Sequence, residues 1–220
     1  EADGGVPPWE GSLSELAWDA LRELGNIGAG NATTALSQLL GERLIRMTTP
    51  TVALPTVAEM SEHLGPADQP VSVVFQKVSG DLAGEVAFLL PDPAAQAVLA
   101  TMLGGLGVAF TPSDLPLAER SPEDLEASAL LELGNIVLTS YLNALSELTS
   151  LRLSPSVPAA ARDMLGAVVS SMLAEMDSDD RILVIEATLQ DERTEVSGYL
   201  LFFPEEGQLN RLLEALGLAG

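Results

Sequence analysis

At 220 residues, 47% of them hydrophobic and with a mean hydropathy of +0.27, the chain can bury a sizeable core, while a net charge of −22 excludes nucleic acid and anionic membrane surfaces as partners. The absence of cysteine excludes disulfides, thiolate catalysis and cysteine zinc sites, and fits a cytoplasmic location. A single histidine, His63, in a Ser-Glu-His-Leu-Gly-Pro context that reads as a solvated loop, excludes paired-histidine metal sites, and no run of 18 apolar residues predicts a membrane span.

Residues 1–11, with Gly4-Gly5 and Pro7-Pro8, read as a flexible lead-in. A helix is predicted over 13–41: Leu13, Leu16, Ala20, Leu24 and Ile27 recur at helical spacing, Ser12 is placed to cap its start and Gly41 to end it. Strands are expected at 43–54, 70–78 and 84–90, the last two joined by a Ser79-Gly80-Asp81 turn, followed by a helix at 93–104 and a Gly/Pro-bearing connector at 105–121. The pattern then restarts with a helix at 122–148, capped by Ser121 and opened by Pro122. A strand-like 151–157, a helix 159–176, strands 182–190 and 196–203 and a helix 205–216 complete it. Two units in tandem, about 12–105 and 121–217, predict one α+β domain, 12–220, with a pseudo-twofold axis and a central β-sheet carrying two long helices. Neither unit alone has helices enough to cover a sheet.

The restart is visible residue by residue. Leu21-Arg-Glu-Leu-Gly-Asn-Ile27 returns as Leu130-Leu-Glu-Leu-Gly-Asn-Ile136, and aligning 19–41 with 128–150 matches 11 of 23 positions. Chance would give roughly two or three in so Ala/Leu-rich a chain, so the halves are an internal duplication. Core packing requires only apolar residues to repeat. Glu23/Glu132 and Asn26/Asn135 repeat as well, preceded by Asp19 and Ser128. At about 100° per residue, Asp19, Glu23 and Asn26 share an arc of about 60° that is expected to flank the apolar stripe, and Ser128, Glu132 and Asn135 do the same. Gly25 and Gly134, mid-helix at a cost of about 1 kcal/mol each relative to alanine, predict a close approach to the backbone there, by a partner or by a neighbouring helix. Gly28-Ala-Gly30 is neither a phosphate loop nor a dinucleotide fingerprint.

Glutamate and asparagine alone suit a narrow chemistry. A carboxamide has no usable pKa but can hold one water in a fixed orientation, and a carboxylate can clamp a cation. Together they fit hydrolysis of an acyl phosphate already activated on a partner, where catalysis is mainly positioning and electrostatics. The alternative is a pair of helix-surface residues inherited by duplication.

These residues resemble the motif of the CheC-type chemotaxis phosphatases (the CheC/FliY/CheX family): Asp or Ser, three residues, Glu, two residues, Asn, then 22 residues and Pro. Asn135 followed by 22 residues reaches Pro158, whereas the same count from Asn26 reaches Thr49, with Pro50 one late. Gly25–Ala32 and Gly80-Asp-Leu-Ala-Gly84 are also similar to family segments. The resemblance implies a CheC-like fold and a phosphatase acting on the aspartyl phosphate of the response regulator CheY. Its catalytic residues would be Glu23, Asn26, Glu132 and Asn135, with Asp19, Ser128, Pro50 and Pro158 in support. In that scheme each Asn orients the attacking water and each Glu meets a receiver lysine. No cofactor or metal resides on this chain; Mg²⁺ belongs to the phosphorylated receiver. Asp163-Met164, on the predicted 159–176 helix, matches the family element that binds the deamidase CheD. The doubled motif implies a monomer. The competing expectations are a non-catalytic adaptor for CheD or a phosphorylated receiver, and a flagellar-switch component.

Overall fold

The computed structural model describes residues 14–39, 46–49, 51–105, 122–174, 176–190 and 195–217. The lead-in 1–11, the caps Ser12 and Ser121, Gly41, Pro50 and most of the 105–121 connector lie outside them. Helix α1 (Glu15–Leu39) is followed by β1 (Arg46–Thr48), β2 (Val52–Ala53), a 3-10 turn (Val57–Glu59), α2 (Met60–Leu64), β3 (Pro70–Gly80), β4 (Gly84–Pro91) and α3 (Asp92–Gly105). The second half repeats the order as α4 (Pro122–Thr149), β5 (Leu153–Pro155), β6 (Ala159–Met164), α5 (Leu165–Met172), β7 (Leu183–Gln190), β8 (Glu195–Pro204) and α6 (Gln208–Ala215).

The eight strands form one antiparallel sheet in the order β1-β7-β8-β4-β3-β5, with β2 also on β7 and β6 also on β3. Each half therefore lends its two short strands to the other half's hairpin, and the hairpins meet at β4–β8 along the pseudo-twofold axis. One sheet face packs under α1, α3, α4 and α6 through Leu21, Leu36, Phe88, Leu133, Leu138 and Phe202, among others. The opposite face is covered by α2 and α5 through Met60, Leu64, Leu165 and Val168. The result is a single α+β domain, as the repeat implied. Among the described residues no helix is long and apolar enough to cross a membrane.

Because every short strand is completed in trans, neither half can close its own sheet. Residues 1–111 and 112–220 made separately are expected to show no cooperative unfolding transition, and an equimolar mixture to regain one by circular dichroism. A half that melts cooperatively alone would contradict the exchange.

Three expectations are corrected. Residues 159–176 are not one helix: Ala159–Met164 is strand β6, and only Leu165–Met172 is helical. The alanines favour helix, but the open edge of β3 offers six paired positions, Phe75↔Ala159 to Pro70↔Met164, and that pairing outweighs a propensity of a few tenths of a kcal/mol per residue. The 43–54 strand is broken into β1 and β2. The apolar stripe of α1 is also rotated: Ala17, Leu21, Leu24, Gly25, Gly28, Ala29, Ala32 and Leu36 are buried, while Leu16 is 65% exposed. Five of those eight are Gly or Ala, so the face that packs most closely is the one the large side chains do not mark. Counted from Leu16, the buried arc centres near about 150°, which places Glu23 opposite the core rather than beside it, with Asn26 nearer its margin.

Candidate functional site

Helix α1 starts at Ser14, whose Oγ accepts from Ala17 N at 3.2 Å, so this serine fills the role expected of Ser12. Two turns on, Glu23 and Asn26 stand exposed on the outer side of the helix. The segment after the helix returns to it: Met47 N donates to Thr33 Oγ1 at 2.8 Å, fixing β1 against α1. Thr49, just beyond, donates from Oγ1 to Asn26 Oδ1 at 3.3 Å. The close approach inferred from Gly25 is to this same residue, since a Cβ on Gly25 would lie 3.0 Å from Thr49 Oγ1.

The second copy builds its site on the sheet instead. Glu132 and Asn135 are half-buried on α4, and Asn135 Oδ1 accepts at 3.3 Å from Nε2 of Gln76, a β3 side chain only 3% exposed. The same Nε2 donates to the carbonyl of Ser156 at 3.0 Å, in the segment that leads to Pro158. Helix α4 can come this close because residue 134 is glycine: a Cβ there would collide with Val74 of β3, lying 2.5 Å from its Cγ2 and 2.6 Å from its Cγ1. Both mid-helix glycines thus serve contacts within the fold, to a loop in one copy and a strand in the other.

The two sites share one arrangement. Each Asn has its carbonyl oxygen held by a neighbour within the fold, Asn26 by the hydroxyl of Thr49 in an exposed bond and Asn135 by the buried amide of Gln76, which leaves its amide N–H groups as donors. Glu23 and Glu132, one turn earlier, carry no hydrogen bond or ion pair among the described residues, so their carboxylates are available to a cation from without. Asp19 instead accepts from Arg22 Nη1 at 2.8 Å, and Ser128 Oγ donates to the Asp124 carbonyl at 2.8 Å; neither is bonded to the Glu or Asn of its copy. Pro158 is half-buried immediately before β6. Among the described residues no group of three His, Cys, Asp or Glu is placed to hold a metal ion.

Asp163 lies on a different element from the Glu/Asn pairs, the sheet-edge strand β6. It is exposed, and its Oδ1 accepts from Met164 N at 2.7 Å. Its neighbour Arg162 donates from Nε to both oxygens of Asp92 at 2.9 Å, tying β6 to the start of α3; this pairing raises the guanidinium pKa further above its ordinary value.

Thr49 and Gln76 were not singled out from sequence. The count of 22 residues from Asn26 lands on Thr49, where the motif has proline. Gln76 has a fainter signal, a glutamine between Val74 and Val78 on the same side of the strand.

A sheet crossed by two helices, each bearing the same Glu/Asn pair, defines a duplicated α+β domain with two matching sites. The model of the CheC-like family matches residues 16–54 and 125–161, which contain both pairs and the segments that return to them. CheY-P phosphatase CheC of Bacillus subtilis is 35% identical over 208 residues, 93% of this chain and 96% of that protein. The putative CheY-P phosphatase CheC1 of Halobacterium salinarum is 25% identical over 189 residues, 84% of this chain and 88% of its own length. In fold, the crystal structure of Thermotoga maritima FliY is similar with a TM-score of 0.72 at 22% identity, covering 94% of this chain and 99% of that one. The chain belongs to the CheC-like family.

Proposed function

We propose that this chain is a cytoplasmic, monomeric phosphatase that hydrolyses the aspartyl phosphate of a CheY-like receiver at two sites, Glu23/Asn26 and Glu132/Asn135. The observation that carries the reading is the anchoring of both Asn carbonyls by neighbours within the fold, which leaves each amide's N–H groups to donate, beside a carboxylate that is unpaired among the described residues in each copy. Kinship with the B. subtilis CheY-P phosphatase over nearly the whole chain supports the substrate class.

Docking sets each Glu against a lysine of the receiver and inserts each Asn toward the phosphoryl group. The amide donates to a water and holds its second lone pair in line with phosphorus. The water oxygen bonds to phosphorus as the bond to the aspartyl oxygen breaks; the carboxylate leaves, and the water's proton passes to phosphate or solvent. The transition state is loose and little covalent work is required, so placement of one water is sufficient catalysis. The acyl phosphate, its charge-neutralising lysine and Mg²⁺ all belong to the receiver.

Asp163 is proposed to contact a CheD-type deamidase, together with Met164, which is 48% exposed beside it. Both roles are tested with a phosphorylated CheY receiver: release of phosphate is expected to accelerate in proportion to added protein. Asp163→Ala is expected to abolish co-elution with CheD and to leave that acceleration unchanged. No acceleration with or without CheD would overturn the phosphatase reading in favour of an adaptor.

A further inference from the structure

Gln76 is chemically out of place as a core residue. Its strand presents Val74 and Val78 to the same face, both buried, and a glutamine between them at 3% exposure brings a carboxamide into an apolar layer. Only one end of that amide is satisfied. Nε2 spends its two hydrogens on the Ser156 carbonyl at 3.0 Å and Asn135 Oδ1 at 3.3 Å, whereas Oε1 is buried without a partner. An unpaired buried acceptor costs about 1–3 kcal/mol, so a leucine would serve the core better.

The bonds it does make bear on Asn135. A backbone carbonyl only accepts, so the Ser156 contact fixes which end of the Gln76 amide points toward Asn135. That end is a donor, and it selects the rotamer in which the oxygen of Asn135 faces inward and its nitrogen outward. The first site lacks this device. Among the described residues its Asn26 is held by one hydroxyl, Thr49 Oγ1, which can rotate and can accept as readily as donate. The strand register explains why: Val78 faces Pro155 as Leu189 faces Met47, so the β7 residue matching Gln76 is Ala187, which has no polar group to offer.

We infer that Gln76 is a positioning residue for Asn135 and makes the Glu132/Asn135 site the faster of the two. The inference rests on the phosphatase reading above.

The test uses the full chain with one site silenced at a time, following dephosphorylation of a phosphorylated receiver. In an Asn26→Ala background, where the second site works alone, Gln76→Leu is expected to lower kcat by about 10–100-fold, the cost of letting a positioning group wander. KM should stay within about twofold, because the Glu132 contact to the receiver is untouched. Gln76→Glu, of the same shape but without the donors, is expected to lose at least as much. In an Asn135→Ala background, Gln76→Leu should change nothing, and its melting temperature should match or exceed that of the parent. Equal kcat for Asn26→Ala and Asn26→Ala/Gln76→Leu would overturn the inference, as would a loss that tracks a lowered melting temperature or appears in both backgrounds. Silence of Asn26→Ala beside an active Asn135→Ala would overturn it while leaving the phosphatase reading intact. Full activity in the Asn26→Ala/Asn135→Ala variant would instead reject the site assignment on which both stand.

Discussion

The Asn26→Ala/Asn135→Ala double variant is expected to lose the acceleration of receiver dephosphorylation by at least about 100-fold while remaining folded. Its stability follows from where the residues sit. Asn26 is exposed and Asn135 half-buried, neither belongs to the hydrophobic core, and alanine is the better helix former by a few tenths of a kcal/mol per position. The structural debits are two: Gln76 Nε2 keeps Ser156 but loses Asn135, and Thr49 Oγ1 loses Asn26, each a net hydrogen bond worth about 1 kcal/mol. Set against the helix-propensity gain the net cost is about 1 kcal/mol, too little to unfold the domain, so a collapse in activity cannot be assigned to unfolding. Each single variant should keep part of the rate, with Asn135→Ala losing more. Phosphate release measured beside a thermal melt decides it, and a double variant as active as the parent would move the chemistry elsewhere on the chain.

The duplicated helices were legible because their signal is local. Six of seven residues in 21–27 repeat at a fixed offset, and a polar pair repeats within one helical turn, where spacing along the chain is spacing in space. The partners that complete the sites were not legible for the opposite reason. Thr49 reaches Asn26 across 23 residues and Gln76 reaches Asn135 across 59, and no periodicity relates a helix to a strand that packs under it. The exchange of short strands between halves was hidden in the same way: β5 and β6 pair with β3, and nothing within 153–164 names that partner. Residues 159–164 show the cost directly. Read locally, an Ala-Ala-Ala run starts a helix; read against an open sheet edge, it supplies side chains small enough to lie along β3. The rotated face of α1 has a related cause, because a hydrophobic stripe weights large side chains and the closest packing here is made by glycine and alanine.

Gly134→Ala is expected to destabilise the domain by about 2–3 kcal/mol, a fall in melting temperature of about 5–10 °C for a chain of this size. On an exposed helix the same change would stabilise by about 1 kcal/mol, so the sign itself is informative. The added methyl would meet Val74 at its Cβ, an atom fixed to the β3 backbone that no rotamer change can withdraw. Helix and strand must therefore separate, and the displacement falls one residue from Asn135, whose 3.3 Å bond to Gln76 it would break. Val74→Ala should fail to rescue the variant, because it trims the γ carbons and leaves the clashing Cβ in place. Gly25→Ala is the contrasting case. There the neighbours are the Oγ1 of Thr49 at 3.0 Å, which can turn aside, and its Cβ at 3.3 Å, which needs to give by only a few tenths of an ångström, so stability is expected to change by less than about 1 kcal/mol while Asn26 loses its anchor. A pair of melting curves separates the two: Gly134→Ala melting as late as the parent would mean that α4 does not rest on β3 as closely as this geometry requires.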